Sequence, residues 1–123
     1  MQVVLNKCYG GFALSPQARE RYAELAGLHL VTRRDYEGAL FFHPTKSGHY
    51  EDLSTEEREQ IIWDARIKRT DPHLVQVVEE LGEAAAGKFS ELEIVEIPDD
   101  VEFWSIQEHD GKEWVAENHR TWS

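Results

Sequence analysis

Apolar positions near the start of the chain predict a strand followed by a helix. Gln2–Leu5 carries consecutive β-branched residues, which is typical of a strand buried on both faces. Ser15-Pro16 is a strong helix start, because a serine can cap a free backbone N–H and proline suits the first helical position. Gly27 is placed to end that helix. Its buried stripe has i, i+4, i+7 and i+8 spacing and comprises Ala18, Tyr22, Leu25 and Ala26.

Two further helix starts lie in the middle of the chain. Ser54 and Glu57 form a capping box, so we expect a helix from about Thr55 to Ala65. Asp71-Pro72 repeats the logic of the first helix and begins a segment that we expect to end near Gly87. The wide apolar face of this segment predicts the central core helix; it comprises Leu74, Val75, Val77, Val78, Leu81 and Ala85.

The remaining apolar segments are short and read as strands. Leu28–Val31 and Ala39–Phe42 suggest the two strands of a hairpin, and His43–Leu53 reads as an exposed loop. Phe89–Ile97 contains a well-buried strand. The last two strands, Val101–Glu108 and Lys112–Glu117, are joined by the hairpin dipeptide Asp110-Gly111.

This order of elements predicts an α+β fold in a single domain of residues 1–123. The simplest arrangement is one mainly antiparallel sheet with two to three helices packed against it. The chain has 123 residues, which suffices for a real core without disulfide staples. Exposed sheet edges would favour self-association, so a homo-oligomer is expected.

Charge and composition exclude several classes of protein. The net charge of −11 argues against a surface for duplex DNA or RNA, although one small anionic ligand could sit in a locally basic pocket. A single cysteine, Cys8, excludes a disulfide framework and a cysteine-based zinc site. No apolar stretch approaches the roughly 18 residues of a membrane span, so we expect no membrane partner and a cytoplasmic location.

The opening stretch is the first candidate site. A strand, a glycine-rich turn and a helix N-terminus can present backbone amides to an anion, and Asn6 and Lys7 would add donors. Gly10-Gly11 without a third glycine matches neither the P-loop nor the dinucleotide fingerprint. A tight turn that holds strand to helix therefore remains an open alternative to ligand contact.

Basic and aromatic residues form the other candidates. Arg69 precedes the Asp71-Pro72 helix start and could help to hold a phosphate, or could pair with Asp71 at the surface. Arg120 and Trp122 near the end could clamp a base by stacking or could pack on another subunit. Phe103, Trp104 and Trp114 could join them, with core or sheet-face packing as the alternative.

Catalytic machinery is not indicated. A nucleophilic Cys8 would need a nearby base, and the six histidines stand in no recognisable partner motif or metal-ligand spacing. A lone cysteine beside a strand is more often a small buried hydrophobe. We therefore expect no enzyme, no cofactor and no metal.

Five motifs resemble a family of small bacteriophage and prophage proteins. They are Asn6-Lys7-Cys8-Tyr9-Gly10-Gly11-Phe12-x-Leu14-Ser15, Arg69-x-Asp71-Pro72-x-Leu74-Val75-x-Val77-Val78-Glu79-Glu80-Leu81-Gly82, Val95-Glu96-Ile97-Pro98-Asp99, Asp110-Gly111-x-Glu113 and His119-Arg120-x-Trp122. The resemblance covers nearly the whole chain, with residues 32–53 unmatched.

The family is associated with the first-described Thoeris anti-defence proteins. These act as sponges that bind a cyclic ADP-ribose-type or cyclic-nucleotide immune signal without cleaving it. The resemblance thus implies a homo-oligomeric counter-defence protein in the cytoplasm of an infected bacterium. The motif positions and the stacking candidates give the expected ligand-binding set, which is Asn6, Lys7, Gly10, Gly11, Phe12, Arg69, Phe103, Arg120 and Trp122.

The acidic charge favours a second hypothesis, in which the chain is a protein–protein inhibitor or adaptor that covers a basic surface of a host protein. A sponge needs phosphate donors and stacking aromatics, whereas an adaptor needs no pocket.

Overall fold

The structure, a computed structural model, describes residues 1–34, 36–101 and 103–117. Strands and helices occur in separate runs along the chain and the strands pair mainly antiparallel, which confirms the α+β class. The elements in order are β1 (Gln2–Asn6), α1 (Pro16–Ala26), β2 (His29–Arg33), β3 (Tyr36–His43), β4 (Gly48–His49), α2 (Thr55–Glu59), α3 (Pro72–Leu81), β5 (Leu92–Glu96), β6 (Trp104–His109) and β7 (Lys112–Glu117).

The strands form three small sheets where one sheet was expected. β1 pairs antiparallel with β5, β6 pairs antiparallel with β7, and β2 lies between an antiparallel β3 and a parallel β4. The second edge of β1 accounts for part of this division, because no strand in the described part of the chain pairs there. The Val4 N–H donates instead to the Arg69 carbonyl at 2.8 Å, and the Asn6 N–H donates to the Glu113 carboxylate at 2.7 Å. A carbonyl of an irregular segment and a carboxylate side chain thus accept the backbone N–H groups that another strand would otherwise have paired with.

Helices α1 and α3 form the central layer and start as predicted. The Ser15 hydroxyl accepts the Ala18 N–H at 3.1 Å, and Gly27 ends α1 in the left-handed conformation at φ 69°. The Asp71 carboxylate caps α3 and also accepts the Tyr22 hydroxyl at 2.7 Å, so one side chain joins both helices. Within the stripe predicted for α1, Leu25 and Ala26 are only half-buried, and Ala23 is buried instead.

Each face of the helical layer packs on a different sheet. Val4 of β1 and the apolar face of α3 meet in the main core. On the α1 side, Phe42 of β3 contacts Tyr22 with ring centroids 5.2 Å apart in edge-to-face geometry. The helices are therefore covered by the β1–β5 pair on one side and by the β2–β3–β4 sheet on the other.

The hairpin of β6 and β7 covers the outer face of the β1–β5 pair. Since side chains alternate along a strand, Val3 and Leu5 point away from the helices. They form a second buried cluster with Ile97, and Ile106 and Val115 of the hairpin pack against it. The Asp110-Gly111 turn is confirmed, with φ of 51° and 92°, the positive angles that such a two-residue hairpin requires.

The two later helices are shorter than predicted. α2 ends at Glu59 because the chain then extends to pair with β3, where Ile62 and Phe42 exchange backbone hydrogen bonds of 2.8 and 3.2 Å. The Ser54–Glu57 capping box is confirmed. α3 ends at Leu81, and a 3-10 turn over Gly82–Ala85 carries the chain onward to Gly87.

His43 was expected in an exposed loop but is fully buried. Its Nδ1 accepts the N–H groups of Thr45 and Lys46, at 3.1 and 2.9 Å, and its Nε2 lies 2.8 Å from the Glu57 carbonyl. The imidazole thereby holds the turn after β3 in place. The polar pattern of this segment gives no sign of that role.

Across the described ranges, no helix combines the length and the apolar character needed to cross a lipid bilayer.

The ion pair between α1 and α3 predicts acid sensitivity. Arg21 contacts both carboxylate oxygens of Glu80 at 2.8 and 3.1 Å, and the Gln76 amide donates at 2.9 Å. These contacts, the arginine first, lower the pKa of Glu80 from 4.5 to about 2. A carboxyl with a depressed pKa stabilises the fold above its unfolded-state value, and that contribution is lost as the pH falls towards the folded-state value.

We expect Glu80→Gln to abolish this contribution, so the unfolding free energy of the variant falls less steeply than that of the wild type between about pH 4.5 and 2. Urea denaturation at a series of pH values measures this slope. Glu20→Gln, an exposed substitution on α1, is the matched control. Equal slopes for wild type and Glu80→Gln would contradict the assignment.

Candidate functional site

The opening stretch forms a junction at which three distant parts of the chain meet. Asn6 is fully buried at its centre. Its amide nitrogen donates to the carbonyls of Cys8 and Gly111, at 2.9 and 2.6 Å. Its amide oxygen accepts the N–H groups of Cys8 and Glu91, at 3.4 and 3.0 Å. The predicted ligand donor Asn6 is therefore an internal cross-link between the glycine loop, the hairpin turn and the start of β5.

The glycines of the junction allow backbone segments from different parts of the chain to pack in direct contact. A Cβ on Gly10 would lie 1.9 Å from the Phe89 carbonyl oxygen, and a Cβ on Gly111 would lie 2.3 Å from the Gly11 nitrogen. Gly11 itself has φ 85°, a region that favours glycine. These contacts favour the tight-turn interpretation of Gly10-Gly11, because both residues are needed to close the turn against its neighbours.

Arg69 lies beside this junction and makes a bidentate ion pair with Glu113 of β7. Its Nη1 and Nη2 lie 2.5 and 3.0 Å from the two carboxylate oxygens, and the side chains are only 16% and 9% exposed. The Arg69 guanidinium carbon lies 3.7 Å from the centre of the Phe12 ring, which is cation–π geometry. The alternative pair between Arg69 and Asp71 is wrong, since Asp71 caps α3 and accepts the Tyr22 hydroxyl.

The structure thus brings together five of the predicted site residues, Asn6, Gly10, Gly11, Phe12 and Arg69, around an internal carboxylate. The Asn6 N–H and the Arg69 guanidinium both donate to Glu113, as they would to a phosphate oxygen. The anion of this site is therefore supplied by the chain itself. Sequence reasoning missed Glu113. Glu113 lies on the same inward face of β7 as Val115, and an apolar side chain is expected at such a position.

The other predicted residues lie elsewhere. The Lys7 backbone N–H donates to the Glu91 carbonyl at 2.7 Å, and no ion pair of the Lys7 side chain is found among the described residues. Phe103 precedes β6 and is 54% exposed. Arg120 and Trp122 lie outside the described residues, so their expected roles stay predictions.

An exposed group of aromatic side chains surrounds the junction and was not predicted as a unit. Tyr9 and Phe89 are 66% and 68% exposed, and the backbone of Gly10, which follows Tyr9, packs closely against the Phe89 backbone. The Lys112 ammonium lies 5.7 Å from the Tyr9 ring centre, and Trp114, 45% exposed, shares the outward face of β7 with Lys112. We call Tyr9, Phe89 and Trp114 the aromatic surface.

A cavity of about 460 Å³ lies beside the junction, since Cys8 and Glu91, which both bond to Asn6, line it. Its lining includes Cys8 and Ser90, which are the chain neighbours of Tyr9 and Phe89, and three carboxylates, Glu83, Glu91 and Glu93. No group of three histidine, cysteine or acidic side chains within the described ranges is placed to hold a metal ion.

A second cavity, of about 440 Å³, lies between the start of β1 and α3, and Glu79 is its one acidic lining residue. Seven of the residues predicted to bind a ligand lie in the described ranges, and none of these seven lines either cavity.

No family model, curated protein or solved structure matches this chain. The resemblance to phage proteins therefore rests on the motifs alone and stays a prediction.

Substitution of the junction glycines tests the turn interpretation. Gly10→Ala should destabilise the fold by about 3 kcal/mol, because the new methyl group meets a backbone carbonyl that cannot swing away. Gly11→Ala is the matched control, since its Cβ would meet nothing within 4 Å and it should cost only the roughly 1–2 kcal/mol of a left-handed alanine. Thermal and urea unfolding measure both. A Gly10→Ala protein as stable as Gly11→Ala would contradict the interpretation.

A double-mutant cycle tests the ion pair. Arg69→Met and Glu113→Gln should each cost about 3 kcal/mol, because each leaves a largely buried charge or donor without its partner. The double variant should lose at least about 1 kcal/mol less than the sum of the single losses. Urea denaturation gives the free energies, and strict additivity would show that the two side chains do not stabilise each other.

Proposed function

We propose that this chain is a non-catalytic binding protein that acts by stoichiometric capture of a partner protein through its aromatic surface. The observation that carries the proposal is the exposure of Tyr9, Phe89 and Trp114 beside a closely packed, hydrogen-bonded junction. Exposed aromatic side chains held by a fixed backbone are typical of the residues that contribute most to protein–protein binding. They offer large contact areas at a low cost in side-chain entropy.

The arrangement of charges favours a protein partner over a small anion. Arg69, the strongest phosphate candidate, is neutralised by Glu113, and releasing it would leave a carboxylate and a guanidinium unpaired. Three carboxylates, Glu83, Glu91 and Glu93, line the cavity of about 460 Å³, which disfavours a phosphate there. The net charge of −11 adds long-range repulsion of anions. The protein–protein inhibitor or adaptor is accordingly the better supported of the two hypotheses.

A nucleotide sponge of the phage counter-defence type is the second candidate. It is supported by the motif resemblance and by one geometric observation. The ammonium groups of Lys112 and Lys88 lie 5.7 and 5.4 Å from the ring centres of Tyr9 and Phe89. Aromatic rings flanked by lysines can stack a nucleobase while the lysines attract its phosphate. This candidate places the nucleotide on the aromatic surface rather than in the junction.

Affinity capture with matched variants separates the two candidates. Tagged protein expressed in a bacterial host should retain a partner protein at a fixed molar ratio, and cross-linking with mass spectrometry should place the contact at Tyr9 and Phe89. The Tyr9→Ala/Phe89→Ala variant should lose the partner, because truncation of central aromatic anchors commonly costs about 2 kcal/mol or more each. Trp63→Ala is the control, since Trp63 is 49% exposed and lies against Phe41, away from this surface.

The same preparations test the sponge. Protein incubated with a mixture of cyclic nucleotides, washed and heat-denatured should release no nucleotide if the partner is a protein. Recovery of intact cyclic nucleotide, lost in Tyr9→Ala/Phe89→Ala, would overturn the protein-capture proposal in favour of the sponge. Recovery of cleaved nucleotide alone would contradict both, because it would reveal an enzyme.

A further inference from the structure

The second edge of β6 is an open strand edge. Among the described strands, β6 pairs only with β7. The two-residue turn makes His109 and Lys112 a hydrogen-bonded pair, so every second residue of β6 from His109 backwards directs its backbone groups to β7. The residues whose backbone groups point the other way are Trp104, Ile106 and Glu108. No hydrogen bond to the backbone of these three is found in the described part of the chain, so their N–H and C=O groups are free to pair with a strand from outside.

Several other edges carry features that discourage such pairing. β4 has only two residues, and β5 carries Glu93 and Glu96. β3 shifts register against β2, and its Phe42 exchanges backbone hydrogen bonds with Ile62. β6 has six residues, no proline, no register shift against β7 and a single acid, Glu108. The edge of β6 is therefore poorly protected against pairing with another strand.

A second copy of β6 fits this edge in one antiparallel register. A pair centred on Ile106 places the partner's Ile106 opposite it and the partner's Trp104 opposite Glu108. This is the one register in which all three outward-pointing backbones of each copy are paired. A pair centred on Glu108 would instead set two carboxylates directly opposite each other, which is unfavourable.

We propose that β6 pairs antiparallel with β6 of a second copy of this chain, in the register centred on Ile106. This inference goes beyond the proposed function and does not depend on it. The pairing is isologous, because each copy gives and receives the same contacts, so it closes at a dimer. The two hairpins would form one four-stranded sheet, with the two β6 strands at its centre and the two β7 strands at its edges.

Charge and exposure favour a second copy as the occupant of this edge. In the proposed register Glu108 lies opposite the partner's Trp104, so no carboxylate of β6 faces another across the new pair, although the net charge of the chain is −11. Phe103, which is 54% exposed, lies opposite the partner's His109 and would be partly covered. The dimer would also carry two copies of the aromatic surface, and bivalent contact strengthens capture without any new contact.

Amide hydrogen exchange, followed by NMR, locates the pairing residue by residue. Exchange of the Ile106 and Glu108 N–H groups of the wild type should slow as the protein concentration rises, because dimerisation follows mass action. The Gln107 N–H, which points to β7, should be protected at every concentration and is the internal control. Sedimentation equilibrium over the same series, up to about 500 µM, should show the mass approaching twice that of the monomer.

A charge variant tests the register. In the proposed pair, Ser105 of each copy lies opposite the partner's Gln107. Ser105→Asp/Gln107→Asp should therefore create two pairs of like charges and weaken dimerisation about tenfold or more. Gln17→Asp/Gln60→Asp is the matched control, since it adds the same charge at exposed positions on α1 and at the end of α2. It should dimerise within about twofold of the wild type, because salt screens distant charges.

A mixture of two variants gives the complementary result. Ser105→Lys/Gln107→Lys should also fail to dimerise alone. An equal mixture with Ser105→Asp/Gln107→Asp should form a heterodimer, because opposite charges then face each other across the pair. Circular dichroism melting shows whether each variant is folded, and if one is not, the exchange measurement on the wild type decides alone.

Three results would overturn the inference. A wild type that stays monomeric throughout the concentration series would exclude the dimer. A dimer in which the Ile106 and Glu108 N–H groups exchange as fast as in the monomer would lie on another surface. Dimerisation of Ser105→Asp/Gln107→Asp as tight as that of the control would contradict the register. Capture of a partner at Tyr9 and Phe89 is measured separately, so the proposed function stands or falls independently of these results.

Discussion

The ion pair between Arg69 and Glu113 is the contact on which the arrangement of the sheets depends. It lies at the second edge of β1, where the Val4 and Asn6 N–H groups would otherwise be free to pair with another strand. The Arg69 carbonyl accepts one of these N–H groups and the Glu113 carboxylate accepts the other. Because Glu113 belongs to β7, the same contact anchors the terminal hairpin to the rest of the fold. An unpaired edge of a buried strand is thereby closed without a further strand.

This ion pair also changes how the glycine-rich segment at the start of the chain is interpreted. A strand, a turn and a helix start suggest a phosphate site, and the donors do converge as that suggestion requires. They converge on Glu113, so these donors are already used within the fold and are not available to an external anion. The consequence for function is indirect. By joining the loop, the hairpin and the start of β5, the junction holds Tyr9, Phe89 and Trp114 at the surface.

The proposed function follows from how charge is distributed around this junction. Of the cations near it, Arg69 is paired with Glu113, Lys88 and Lys112 lie over aromatic rings, and the Lys7 side chain makes no ion pair with a described residue. The adjoining cavity holds carboxylates without such partners in the described part of the chain. Because Arg69, Lys88 and Lys112 already have partners within the fold, the junction offers little to a small anion, which favours a protein partner.

Much of the local structure was predictable because it depends on neighbours in the chain. The Ser15, Ser54 and Asp71 caps and the Asp110-Gly111 turn were all correct, since capping and turn geometry are decided within a few residues. The sequence predicted only part of the site that the opening loop forms with Arg69. Residue types suggested that both hold an anion, but no local pattern identifies the anion when it lies 44 residues away in the chain, as Glu113 does from Arg69.

The sequence by itself determined the α+β class, the starts of the helices, the buried face of α3 and the need for glycine in the first loop. Only the tertiary structure decided where α2 stops, why His43 is buried and which carboxylate Arg69 meets. The physical reason is the range of the interactions. Caps, turns and amphipathic spacing act between neighbours, whereas the end of α2 and the partner of Arg69 depend on contacts made after distant segments have packed together.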